Sequence, residues 1–188
     1  MTDAEDLEGL LAAEPAHGVG FSYGGLGLVV AAGRNPGLLR SMTLIEVPLF
    51  ALADLEDPRV RDLVALAGAY TGQADESHEE ARAEFEALAG MGGDLTADQR
   101  AELERVREFA RGLRPPAQAH PDYAAIVRAG LPVLVVSGGH EPGLEKLCDA
   151  IAERLHARRE ALPGAGHAAQ RAPGFNQLLV DFIGRSTE

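Results

Sequence analysis

Residues 18–27 read Gly-Val-Gly-Phe-Ser-Tyr-Gly-Gly-Leu-Gly, and the fold turns on how this stretch is read. Gly20-Phe21-Ser22-Tyr23-Gly24 fits G-x-S-x-G, the pattern of a serine placed on a sharp turn from strand to helix. The reason is steric: the serine takes strained dihedrals, and side chains at the flanking positions would collide with neighbouring backbone. Ala16 to Phe21 reads as a short strand, and "YGGLGLVVAAGR" from Tyr23 reads as a small-residue apolar helix. Such a turn exposes the Ser22 hydroxyl at a helix N-terminus, where the dipole and the Tyr23 amide can stabilise an oxyanion. Gly24, Gly25 and Gly27 superficially suggest a phosphate loop. No G-K-[ST] follows and G-x-G-x-x-G spacing is not met, so neither a nucleotide cofactor nor any other cofactor is implied.

The segments around this turn alternate. Residues 4–13 read as a short helix, "MTLIEV" (42–47) and "LPVLVVSG" (131–138) as buried strands, 143–156 as a helix, and 158–162 as a short strand. A Gly-rich loop, "PGAGHAAQ", leads to a last helix with Phe175, Leu178, Leu179 and Phe182 on one stripe. This is the pattern of an α/β fold: a parallel sheet of about four strands flanked by helices. Between the second and third strands lies a different piece, residues 54–112, with 15 Asp and Glu against 7 Arg and no Lys. It carries "HEEARAEFEALAGMGG", a helix ended by glycines, and a second helix before which Thr96 and Gln99 stand at capping-box spacing. Pro115 and Pro116 end that helix, and an irregular connector is expected to return the chain to the sheet. The piece reads as a helical insertion, with a merely solvated crossover as the alternative. The chain is thus expected to be a single domain over 1–188, with core halves 1–53 and 113–188 around the insertion.

A serine nucleophile needs a base from elsewhere in the chain. Of six histidines, His167 is singled out because its Gly-rich loop follows the presumed last strand, from which an imidazole can reach back over the sheet. His17, His78, His120, His140 and His156 read as ordinary polar side chains. For the acid, Glu141 lies just beyond a strand's C-terminal end and is the first candidate to orient the histidine. Glu46, at the end of the preceding strand, is the alternative, with tying down the insertion as its competing role.

Composition narrows the function further. The 188 residues are 46% hydrophobic and 24% charged, enough for one globular domain with a real core. The net charge of −12 argues against nucleic acid, whose binding relies on Lys and Arg. The start, Met-Thr-Asp-Ala-Glu-Asp, has no basic or apolar leader, and no run approaches 18 apolar residues, so no membrane partner and a cytoplasmic location are expected. The one cysteine, Cys148, shares a helix face with Leu144, Leu147, Ile151 and Leu155. It reads as a buried structural thiol, and no metal site is implied.

"GVGFSYGGLGLVVAA", "LIEVPLF", "LPVLVVSGGHEP", "ALPGAGHAAQ" and "FNQLLVDFI" together resemble the α/β-hydrolase superfamily across essentially the whole chain. The resemblance implies Ser22 as nucleophile, His167 as general base, Glu141 at the acid position and 54–112 as a lid. A serine at the elbow points to the acyl-transfer and lyase branches rather than to those that attack with a carboxylate. The expected activity is hydrolysis of a small ester, thioester or lactone, with Tyr23 giving one oxyanion donor. Phe85, Met91 and Phe109 are the lid residues that could meet a substrate, with helix packing as their more ordinary role.

Members of the superfamily normally carry further strands before the elbow and an early loop with a second oxyanion donor, and residues 1–17 show neither. The elbow strand is therefore expected at a sheet edge with an apolar flank. Three readings account for this: Met1 as an internal codon of a longer frame, a short form whose edge is covered by a second copy or another partner, or a catalytically impaired member serving as an interaction module.

Overall fold

The computed structural model describes residues 3–71, 79–89 and 94–185. Among these, four strands form one parallel sheet in the order β1-β2-β3-β4: β1 (Ala16–Phe21), β2 (Leu39–Ile45), β3 (Val133–Ser137) and β4 (Arg158–Ala161). The helices are α1 (Asp3–Leu11), α2 (Gly24–Arg34), α3 (Pro58–Thr71), α4 (Glu79–Leu88), α5 (Ala97–Arg111), α6 (Tyr123–Arg128), α7 (Pro142–Leu155) and α8 (Phe175–Arg185).

The strand sequences explain their burial. Every residue of β3 is buried, as is every residue of β2 except Arg40, which is why β3 reads as a nearly continuous apolar run, while β2 buries Ser41 and Thr43 among its apolar residues. Successive side chains still face opposite ways. Met42, Leu44, Val133 and Val135 meet Val29 of α2 with Leu147 and Ile151 of α7 on one face. Ile45, Leu134 and Val136 meet Phe175 and Phe182 of α8 on the other. Fully burying one such side chain stabilises by about 1.5–3 kcal/mol, so the two helix layers fix the sheet between them. The outer strands differ. β4 carries Arg158, Arg159 and Glu160, charges that discourage further pairing, whereas β1 leaves Val19 48% exposed.

Element boundaries follow local chemistry. Thr96 and Gln99 form the expected reciprocal capping box at the start of α5. Pro142 opens α7, and His156 closes it in the left-handed conformation at φ 51°. Two helices were not legible as such: α3, which packs on α7 and α4, and α6, capped by Asp122, in what reads from sequence as irregular connector. β2 also begins three residues before the expected Met42.

The β2–β3 crossover holds the acidic helices. α4 is pinned to α5 by Arg107, whose guanidinium donates to both carboxylate oxygens of buried Glu86 at 2.6 and 2.8 Å. That fork geometry is the strong form of an ion pair. It holds the Arg107 pKa well above the ordinary guanidinium value, chiefly through the Glu86 hydrogen bond.

Candidate active site

The site is built where β1, β2 and the loop after β4 meet. β1 and β2 run in register, Phe21 opposite Ile45, so the next residues, Ser22 and Glu46, emerge side by side at the C-terminal end of the sheet. Both extend the ladder: the Ser22 amide donates to the Ile45 carbonyl at 2.9 Å, and the Glu46 amide to the Val136 carbonyl at 3.1 Å. Both then leave it through positive φ, 48° at Ser22 and 46° at Glu46. Non-glycine residues rarely take that conformation, and such strain clusters at functional sites. The turn at Ser22 is tight enough that a Cβ on Gly20 would lie 2.6 Å from Gly25 Cα, so glycine there is a packing requirement.

His167 approaches from the loop between β4 and α8. Its Nε2 lies 3.0 Å from Ser22 Oγ and its Nδ1 2.6 Å from Glu46 Oε2. With a carboxylate accepting at Nδ1, that nitrogen carries the proton, and Nε2 is left to accept from the serine hydroxyl. The imidazole packs on the Phe21 ring at 4.9 Å between centroids. Glu46 is 1% exposed; its second oxygen, Oε1, accepts the Gly138 amide at 2.7 Å. Gly138 also fixes the histidine loop, because a Cβ there would lie 1.9 Å from the Gly166 carbonyl oxygen.

The first-choice carboxylate is corrected. Glu141 does not face His167: it is the N-cap of α7, and its Oε2 accepts the Leu144 amide at 2.5 Å. Pro142 starts the helix immediately after it, and the free amides of a new helix claim the nearest side-chain oxygen. The alternative, Glu46, is the residue that meets the histidine. Its competing role of anchoring the insertion is not what its contacts serve, since both oxygens are turned to His167 and Gly138.

Tyr23 stands at the N-cap of α2 in helical conformation, so its amide is at the N-terminal end of that helix. Its phenol donates to the Arg114 carbonyl at 3.0 Å, tying the turn to the connector after α5. Desolvation chiefly raises that phenol's pKa.

A cavity of about 430 Å³ lies over these groups. Its floor is Ser22, His167, Phe50 and Leu144; its opposite wall comes from α3, α4 and α5 through Leu63, Tyr70, Phe85 and Val106. Phe85 lines the cavity while stacking on Tyr70 at 4.6 Å, and Phe109 lines it at the mouth, 70% exposed. Met91 and His78 lie outside the described residues. The polar atoms near the floor are few, and the walls are mostly hydrocarbon, as expected of a small-molecule site.

The cysteine and, apart from His140, the other described histidines fall elsewhere. His17 Nδ1 pairs with Ser41 Oγ at 2.8 Å between β1 and β2. His120 lines a separate cavity beside α2, and His156 is a helix cap. Cys148 is 1% exposed, and burial pushes its thiol up to about 12, which makes it inert. His140, read from sequence as a loop residue, instead sits with Nδ1 3.4 Å from Glu46 Oε1. No signal in the sequence announces that proximity, because it depends on the β3 turn folding back over the end of β2.

No helix among the described residues is long and apolar enough to cross a membrane. A search of curated proteins finds no match to the sequence. Solved structures are similar in fold. A carboxylesterase from the thaumarchaeon Nitrososphaera gargenis is 20% identical, covering 98% of this chain and 71% of its own, at a TM-score of 0.64. A proline iminopeptidase of Mycobacterium smegmatis is 20% identical, with 97% and 70% covered and a TM-score of 0.66. Est816, described as an N-acyl homoserine lactone degrading enzyme, is 19% identical, with 95% and 73% covered and a TM-score of 0.57. The family model for the alpha/beta hydrolase family matches residues 1–175. The chain therefore belongs to the alpha/beta hydrolase family.

Proposed function

We propose that the protein is a serine hydrolase that cleaves a small carboxylic ester, thioester or lactone through an acyl-enzyme. The observation that carries this reading is the relay Ser22 Oγ–His167 Nε2 at 3.0 Å and His167 Nδ1–Glu46 Oε2 at 2.6 Å on the floor of an apolar cavity. His167 Nε2 takes the serine proton as Oγ attacks the carbonyl carbon, and Glu46 stabilises the imidazolium that forms. The Tyr23 amide, at the α2 N-terminus, donates to the developing oxyanion. The imidazolium then protonates the leaving oxygen or sulfur. Water, activated by the same Nε2, releases the acid and regenerates Ser22.

The helices over residues 54–112 act as a lid in this reading, giving the substrate its apolar wall. Two of the structurally similar proteins are described as a carboxylesterase and an N-acyl homoserine lactone degrading enzyme, which accords with an acyl transfer here.

Hydrolysis of p-nitrophenyl butyrate by the purified chain tests the proposal. Ser22→Ala is expected to lower kcat/KM by roughly 10⁴-fold or more, and a fluorophosphonate is expected to label Ser22 alone. A chain that neither turns over nor labels contradicts this and leaves an interaction module as the better reading.

A further inference from the structure

His140 is a partly buried histidine without a job in the acyl-transfer scheme. Neither ring nitrogen has a hydrogen-bond partner among the described residues, and both are shielded from solvent. Buried polar atoms are ordinarily satisfied, and an orphaned pair calls for an explanation such as an ion. Its Nδ1 stands 3.4 Å from Glu46 Oε1, within ion-pair reach but not in hydrogen-bond geometry. On the other side of the same carboxylate is His167, with the two imidazole centroids 6.4 Å apart. One ligand atom from each of Glu46, His140 and His167 lies within 4.8 Å of the others.

We infer that Glu46, His140 and His167 form an inhibitory site for a divalent transition metal of the zinc class. Two imidazoles and a carboxylate suit such an ion. Zinc bonds of about 2.0–2.1 Å in tetrahedral geometry set neighbouring ligand atoms about 3.3 Å apart. The Glu46 carboxylate already faces His140 Nδ1 through Oε1 at 3.4 Å and His167 Nδ1 through Oε2 at 2.6 Å, so an ion held by both oxygens reaches both imidazoles once the His167 hydrogen bond opens by less than about 1 Å.

The inhibition follows from the tautomer. In the resting relay the single imidazole proton of neutral His167 is on Nδ1, and Nε2 is the base. A metal bonded to Nδ1 takes the lone pair there, so the proton relocates to Nε2. No proton is gained or lost by the ring, but Nε2 becomes a donor and can no longer accept from Ser22. Glu46 is drawn to the metal at the same time, so the histidine loses its orienting partner.

The effect on turnover rests on the proposed role of His167; the binding of the ion does not. The test uses the full chain stripped with EDTA and dialysed, with Zn²⁺ as the probe. Equilibrium dialysis is expected to show a site that weakens about tenfold or more in His140→Asn and in His140→Phe, the second keeping ring volume without a ligand atom. Hydrolysis of p-nitrophenyl butyrate is expected to fall with added Zn²⁺, to recover with EDTA, and to need about tenfold more Zn²⁺ in either variant, each compared with its own metal-free rate. Wild-type chain that binds no Zn²⁺, or binds it equally after both substitutions, overturns the site. Binding through His140 with unchanged hydrolysis overturns the inhibition. A chain with no hydrolysis at all defeats the proposed function, while the dialysis still decides the site.

Discussion

The ends of β2 and β3 each deliver a glutamate to the same rim of the sheet, and the two have opposite fates. After β2 the chain leaves through a left-handed turn at Glu46 itself, and no helix begins there. Its carboxylate, 1% exposed, is free to meet His167 and the Gly138 amide. After β3 the chain turns through Gly138 and Gly139, and Pro142 opens α7 directly behind Glu141. The new helix takes that carboxylate as its cap. What a carboxylate at a strand end does is set by what the backbone does next.

The contrast can be broken most forcefully at Glu46. Glu46→Gln keeps the shape but presents the wrong partner to Nδ1, and turnover of p-nitrophenyl butyrate is expected to fall by about 10³- to 10⁴-fold. Gly138 links the two strand ends, donating to Glu46 while its Cα lies against Gly166. Gly138→Ala forces the His167 loop to shift, since the new methyl would meet a backbone carbonyl. A displacement near 1 Å costs about 10²-fold in rate, to be read in kcat with the fold checked by circular dichroism.

The smallest effect belongs to the other strand end. Glu141→Ala removes a helix cap, worth about 1 kcal/mol, which lowers Tm by roughly 2–4 °C for a chain of this size. Turnover is expected to stay within about twofold of wild type, because a cap bonded to the Leu144 amide does not touch the reacting atoms. A large fall in kcat with an unchanged Tm would reverse the assignment of the two carboxylates.

The same contrast shows what sequence could and could not reveal. Ser22 and His167, which the structure brings to 3.0 Å, could be picked out as candidates because their glycine settings are local: Gly20 and Gly24 flank the serine, and Gly164 and Gly166 precede the histidine. A parallel sheet of about four strands was legible from strand-length segments alternating with helical patterns, β3 most clearly because it is Val-rich, whereas the order of the strands was not read. The acid was not, since Glu46 and Glu141 both stand just past a strand and only the three-dimensional turn distinguishes them. One signal was present: a proline directly after Glu141, with Leu144 opening the apolar face, marks a helix start and so a cap. Helix α6 was missed for a related reason. Its proline-rich approach hid the Asp122 cap, and six residues are too few for periodicity to declare itself. His140 beside Glu46 is a contact between residues 94 positions apart, which no local pattern encodes.

The central claim is that Glu46, not Glu141, holds the Nδ1 proton of His167. The most direct measurement is the low-field proton NMR spectrum, in which an imidazole Nδ1–H donated to a carboxylate over a short hydrogen bond is shifted far from the amide region. The account predicts that this resonance is present in wild type, persists unchanged in Glu141→Gln, and disappears from its position in Glu46→Gln. Its loss in Glu141→Gln with retention in Glu46→Gln would contradict the account.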